Sequence, residues 1–194
     1  MSTLDPSGPG STGATGPESA ARISPEAPAG PPGGQLRHGG PAAYTATQES
    51  FARCRRYRME NGLYGVVEPT LGRIMLEVGA VGAITVPAAL GGRMRARLAA
   101  GPPRGPIIGH PRSSRWTFLT DPAAGPGDQA VTAELLRLGA SLPLPGTHIV
   151  LPSPTDERTG YRVWIDPPDG DFRPGLAEVV AAVRECRING SAAD

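Results

Sequence analysis

The sequence contains no lysine: all 19 of its basic residues are arginine. That absence removes the lysine of a phosphate-binding loop, any Schiff base with a carbonyl substrate or pyridoxal phosphate, and any nucleophile activated by a neighbouring lysine. Cysteine is nearly as scarce, with Cys54 and Cys186 alone. Two thiols are too few for a disulfide framework or a cysteine-rich metal site, so both are expected free, in a reducing cytoplasmic setting. No apolar run approaches the roughly 20 residues needed to cross a bilayer, and no basic segment followed by an apolar one opens the chain. A membrane is therefore not an expected partner.

Glycine and proline are abundant instead, 27 and 23 among 194 residues. Nine Gly and eight Pro fall between Met1 and Ala43, where large apolar side chains are nearly absent. Such a segment has no surface to offset the entropy of ordering it. Residues 1–44 are read as a disordered tail, and residues 45–190 as one domain. Pro31-Pro32 lacks the flanking basic residues of a docking motif, which favours a spacer role.

The net charge of +1 hides an uneven distribution. Residues 51–115 hold eleven Arg against three acids, and residues 116–194 hold six Arg against eleven acids. A basic block of this kind attracts phosphate, or it is matched within the chain by the acidic segment that follows.

The apolar spacing predicts a helix over Gln48 to Glu60, with Phe51, Cys54 and Tyr57 inward, stopped by Asn61-Gly62. Strands are predicted at Leu63–Glu68, Arg73–Val78 and Gly79–Val86, then a helix starting at Pro87 with Leu90, Met94 and Leu98 on one face. After a break at Gly101-Pro102-Pro103 come strands at Pro106–Gly109 and Arg115–Thr120, and a helix capped by Asp128. Strands at His148–Leu151 and Tyr161–Ile165 precede a closing helix over Leu176–Arg187. This order implies an α+β domain with one mixed sheet and flanking helices.

Few residues carry visible chemistry. Asp166, Asp169 and Asp171 share one loop, where carboxylates can hold a hard cation; Pro167-Pro168 and Gly170 favour a plain turn. His38, His110 and His148 stand apart, without metal-ligand spacing. Ser113 and Ser114 lack the G-x-S-x-G elbow of a nucleophile. Cys54 has arginine neighbours that can lower a thiol pKa, against the simpler reading of a small core residue. Gly91-Gly92 is not a phosphate loop, since G-x-G-x-x-G is missing. The basic block remains: Arg53, Arg55, Arg56 and Arg58 around Tyr57, then Arg93, Arg95, Arg97, Arg104, Arg112 and Arg115 beside Trp116. Arginine forks engage phosphate through two hydrogen bonds, and aromatic rings stack bases.

Four stretches together carry a family resemblance over residues 46–168. Phe51 to Val67 is an arginine-rich helix running into a hydrophobic strand, and Gly82-Ala83-Ile84-Thr85-Val86-Pro87 is a strand followed by a helix. Ser113-Ser114-Arg115-Trp116-Thr117-Phe118 is a turn and strand. Gly146 to Pro154 followed by Gly160-Tyr161-Arg162-Val163-Trp164 is the most specific. In this order the chain resembles the primase-polymerase domain of bifunctional DNA primase/polymerases. The resemblance places Thr85 and Pro87 where the family has two metal-binding aspartates, Trp116 where it has a nucleotide-binding histidine, and Ser141 where it has a third carboxylate. None of these can hold the divalent ions that phosphoryl transfer to a growing strand requires. The expectation is a degenerate relative with no catalytic residue, no metal and no cofactor. It would bind DNA, RNA or a nucleotide through Arg93, Arg97, Arg112, Arg115 and Trp116. The alternative is a regulatory module on the same fold that binds a protein partner.

Overall fold

A computed structural model describes residues 41–99, 105–122 and 129–191. The Gly/Pro-rich segment up to residue 40, His38 with it, lies outside the described residues, as do the break at 101–103, Arg104 and the cap at Asp128.

Helix α1 spans Pro41–Asn61, seven residues earlier at its start than the spacing indicated. Cys54 and Tyr57 are buried, but Phe51 is 48% exposed. A strict three-residue spacing drifts about 60° per step around a helix, so Phe51 falls off the buried face. Gly62, with φ +58°, ends the helix, and the Leu63 amide donates back to the Tyr57 carbonyl at 3.0 Å.

Strands β1 (Val66–Glu68) and β2 (Arg73–Glu77) form a hairpin. The Glu68 carboxylate closes its turn, accepting from the Thr70 and Leu71 amides at 2.7 and 2.9 Å. Strand β3 (Gly82–Pro87) leads directly into α2 (Ala88–Leu98), with Pro87 as the N-cap residue and not inside the helix. Strands β4 (Ile107–His110) and β5 (Arg115–Thr120) flank a 3₁₀ turn at Pro111–Ser113. Then come α3 (Gln129–Arg137), β6 (His148–Leu151), α4 (Pro154–Thr159), β7 (Val163–Asp166) and α5 (Leu176–Ser191).

The class is α+β, but the strands form two sheets in place of the single mixed one, in orders β1-β2-β6 and β3-β5-β4-β7. Every strand pair is antiparallel. Two of the connections are too short for parallel crossovers, since β1–β2 and β4–β5 are joined by four residues each.

The four-stranded sheet buries both faces. Ile84, Val86, Phe118 and Ile107 meet Leu90 and Met94 of α2, Leu135 of α3, and Val179 and Val183 of α5 on one face. On the other, Ala83, Ile108 and Leu119 meet Ile74, Leu76, Ile149 and Leu151 of the three-stranded sheet, with Cys54 and Tyr57 of α1 in the same cluster. The Tyr57 hydroxyl donates to the Pro152 carbonyl at 2.8 Å and accepts from Trp164 Nε1 at 2.8 Å, so one buried group ties α1 to the ends of β6 and β7.

The glycine pair in α2 is a packing device. A Cβ on Gly91 would lie 2.8 Å from Cε3 of Trp116, whereas one on Gly92 meets nothing within 4 Å. Alanine gains helix propensity at both sites, but at Gly91 the indole must move. Gly92→Ala is expected to raise stability by about 0.5–1 kcal/mol, and Gly91→Ala to lower it by about 1 kcal/mol or more. Urea unfolding of the two variants reads both signs.

Candidate functional site

Between the two sheets, at the end of β4 and the start of β5, the interface opens into a cleft of about 290 Å³. Thr85, His110, Arg115 and Thr117 line it from the four-stranded sheet, His148, Ile149 and Val150 from β6, and Ser113, Pro143 and Arg162 from the connections.

Strand alternation decides which side chains arrive there. Side chains two residues apart share a face. Moving two positions along each strand from the apolar inter-sheet layer, Ala83 gives way to Thr85, Ile108 to His110, and Leu119 to Thr117. The three polar groups join in one chain: His110 Nε2 lies 2.9 Å from Thr117 Oγ1, which lies 2.8 Å from Thr85 Oγ1. Thr85 is fixed further by a β-bridge to Ser141, with backbone bonds of 2.9 and 2.8 Å.

Two guanidinium groups flank this chain. Arg115 Nη2 donates to the carbonyls of Thr85 and Gly139 at 3.1 and 3.2 Å, and forms no ion pair among the described residues. Arg162 Nη1 donates to Asp156 Oδ1 at 3.0 Å. Asp156 is the N3 residue of a capping box: Ser153 Oγ accepts from its amide, and its second oxygen accepts from the Ser153 amide and hydroxyl. Short helix α4 thus holds the counter-ion that aims Arg162. At the rim, Arg112 lies 4.2 Å from the Tyr161 ring centroid and Arg162 lies 5.2 Å from it. Arg112 and Arg162 therefore share the Tyr161 ring, and of the two only Arg162 has a carboxylate partner.

Burial pushes the His110 pKa down, and the positive charges of Arg162 and Arg115 push it further, against a smaller pull from Asp156. The imidazole is neutral at pH 7 and contributes hydrogen bonds, not charge.

The hairpin turn between β4 and β5 is strained. Ser114 has φ +51° and ψ +43°, a left-handed conformation that a residue other than glycine seldom adopts. It places Ser113 and Arg115 at the cleft, while the Ser114 carbonyl accepts from the Ala88 amide at 2.8 Å at the start of α2.

The residues singled out by sequence do not all meet. Arg115 lines the cleft, while Arg112 is not a lining residue and lies on the Tyr161 ring beside Arg162. Arg93 and Arg97 lie on α2, across the four-stranded sheet, where Arg93 Nε donates to the Cys186 carbonyl at 3.3 Å and Arg97 Nε to Glu185 at 2.8 Å. Trp116 faces the same helical layer, against Gly91, because alternation sends it away from Arg115 and Thr117. Of the four positions matched to the family's catalytic residues, Thr85 lines the cleft and Ser141 is bridged to it. Pro87 ends β3 opposite Arg115, and Trp116 is turned away. His110, Thr117, His148 and Arg162 were not identified as a group by sequence. Their signal was alternation along β4 and β5, masked because the predicted β4 stopped one residue short, at Gly109.

In the acidic loop, Asp166 is turned to an arginine. Asp166 accepts from Arg95 Nε and Nη2 at 2.7 and 2.6 Å, so its carboxylate is already engaged. Among the described residues no group of three or more His, Cys, Asp or Glu could hold a metal ion. Cys54 and Cys186 are free and buried, and burial raises both thiol pKa values against the smaller opposing effects of Arg58 and Arg93. No helix among the described residues is long and apolar enough to cross a membrane.

No protein-family model, curated protein or solved structure matches the chain. The primase-polymerase resemblance therefore rests on its residues alone.

Because the folded state keeps His110 neutral, an unfolded chain binds the extra proton first as pH falls. Stability should be full above the ordinary histidine value of about 6.5 and decline below it, until pH passes the lowered folded value. His110→Gln is expected to flatten this slope, measured as the difference between variant and parent in urea unfolding from about pH 8 to pH 5.

Proposed function

We propose that the cleft binds a phosphate group of a nucleotide or of single-stranded nucleic acid, and that the domain does not polymerise: a degenerate relative of the primase-polymerase domain. The observation that carries this reading is that Arg115 and Arg162 both line a hydroxyl-bearing cleft whose lining residues include no carboxylate, with Arg112 beside Arg162 on the Tyr161 ring.

The arrangement supports anion binding in three ways. Arg115 is oriented by two backbone carbonyls, which leave its charge uncancelled. Arg162 is held through one nitrogen, so the remaining edge of its fork is available for a second acceptor. The His110–Thr117–Thr85 chain adapts to its occupant. With a bare His110 Nε2, the hydroxyl protons run toward the ring; with a proton on Nε2 they run outward, and Thr85 donates into the cleft. A bound phosphate oxygen selects the second arrangement without changing the charge of the site.

A volume of about 290 Å³ suits a phosphate with part of its sugar better than a duplex. Thr85, Pro87, Trp116 and Ser141 offer no carboxylate for divalent ions, which favours binding without phosphoryl transfer. The alternative, a regulatory module that binds a protein in a cytoplasmic setting, is favoured by a different surface, described below.

Anisotropy with a labelled single-stranded oligonucleotide and with a labelled nucleotide, across a salt series, tests the reading. Affinity is expected to fall with salt. Arg115→Gln and Arg162→Gln are each expected to weaken binding about tenfold or more, the loss of a charge-assisted hydrogen bond of about 1.5–3 kcal/mol, while Arg97→Gln leaves it unchanged. Absence of binding at low salt, or equal losses from Arg97→Gln, would sink it.

A further inference from the structure

A second concave surface lies away from the cleft, between α1 and β1. It is a groove of about 560 Å³ lined by Phe51, Cys54, Arg55 and Arg58 of the helix, by Val66 and Val67 of the strand, and by Gly65 just before it. The four helix residues follow the i, i+3, i+4, i+7 spacing of one helix face. Cys54 is buried and forms part of the floor, its thiol donating to the Gly65 carbonyl at 3.2 Å. Phe51 and Val66 are 48% and 58% exposed, so apolar surface is open to water on both walls. Tyr64, against Arg58 of the groove, is 69% exposed.

The charge on this surface has one sign. Arg55, Arg56 and Arg58 are exposed, and none forms an ion pair among the described residues. Arg58 Nη2 donates to the Gly65 carbonyl at 3.0 Å and its guanidinium lies 6.0 Å from the Tyr64 ring. Arg53 on the same helix is paired with Glu157 on the far side, through bonds of 3.0 and 3.1 Å. The helix therefore has one neutralised face and one face with its charge uncompensated.

Among the described residues, strand β1 is an edge strand, paired only with β2. Its outer side offers unpaired backbone groups that a second extended chain can match, with pockets for alternate side chains. A polynucleotide has no repeating amide backbone with which to continue the strand ladder along that edge.

From these features we infer that the groove between α1 and β1 is a docking site for an acidic, partly apolar extended peptide of a protein partner. Its carboxylates lie on Arg55 and Arg58, and its apolar side chains lie on Phe51 and Val66. This site is independent of the phosphate cleft.

The test uses the full chain and a labelled synthetic peptide of alternating glutamate and leucine. Fluorescence anisotropy should show salt-sensitive binding. The glutamine–leucine counterpart, which lacks the charge, and polyglutamate, which lacks the apolar side chains, should each bind at least about tenfold more weakly. Arg55→Glu and Phe51→Ala should each weaken the peptide about tenfold or more with the far-ultraviolet circular dichroism unchanged. Arg115→Gln should leave peptide affinity unchanged, separating this site from the cleft. Three results overturn the inference: no peptide binding at low salt; polyglutamate binding as well as the alternating peptide; or an oligonucleotide that binds the parent and is lost in Arg55→Glu, marking a general polyanion surface.

Discussion

Two sheets meet face to face over one apolar layer, and everything else is placed by where that layer stops. Ala83, Ile108 and Leu119 pack against Ile74, Leu76, Ile149 and Leu151, most of them with no exposed surface. The period of a strand is two, so the residues continuing the same face are fixed by backbone geometry. One step beyond the apolar layer that face becomes Thr85, His110 and Thr117. Leaving such groups without partners at a half-buried interface costs about 1–3 kcal/mol each, and they avoid it by bonding one another. The cleft is the end of the core written in polar residues.

An all-arginine chain distributes its charge with unusual clarity. Arg53–Glu157, Arg95–Asp166 and Arg97–Glu185 each join the basic middle of the sequence to its acidic last third, so part of the basic block is matched internally. Arg97–Glu185 is exposed and contributes little to stability, whereas Arg53–Glu157 and Arg95–Asp166 are part-buried. Their effect is to remove charge from some surfaces and leave it on others. What stays unpaired among the described residues includes Arg112 and Arg115 by the cleft and Arg55, Arg56 and Arg58 by the groove. Arg73, Arg93, Arg137 and Arg173 also form no ion pair among the described residues, and what sets the cleft and the groove apart is that their unpaired arginines lie beside concave surfaces.

The α+β class and most elements were legible because their apolar periods are strong. Strands β5 and β6 begin and end where the alternation places them, and α2 and α5 carry their buried stripes as spaced. Helix α4 was not legible. Ser153-Pro154-Thr155-Asp156 is an N-cap with proline at the first position, but its box closes with aspartate where glutamate or glutamine is usual, and its six residues carry no apolar stripe. Missing α4 concealed the orientation of Arg162. The site was half legible: Thr85 and Arg115 were named, but their grouping with His110 depended on one more residue of β4. The separation of Arg93 and Arg97 from the cleft follows from which face of the sheet α2 covers, which no local pattern in the sequence specifies.

The lack of carboxylates at the cleft acts on its electrostatics as well as on its metal chemistry. An aspartate at position 85 would sit beside Thr117 and His110, within the reach of Arg115. Its negative charge would raise the His110 pKa, reversing the effect of Arg115 and Arg162, and would give Arg115 an internal partner. The cleft would then be filled by its own anion unless a divalent cation intervened. Threonine at 85 has the opposite consequence. It keeps His110 neutral and Arg115 unpaired, and it offers a hydroxyl that can donate or accept. Threonine at 85 therefore offers no carboxylate to a metal ion and leaves the cleft positive, and both effects favour the proposed binding of phosphate without transfer.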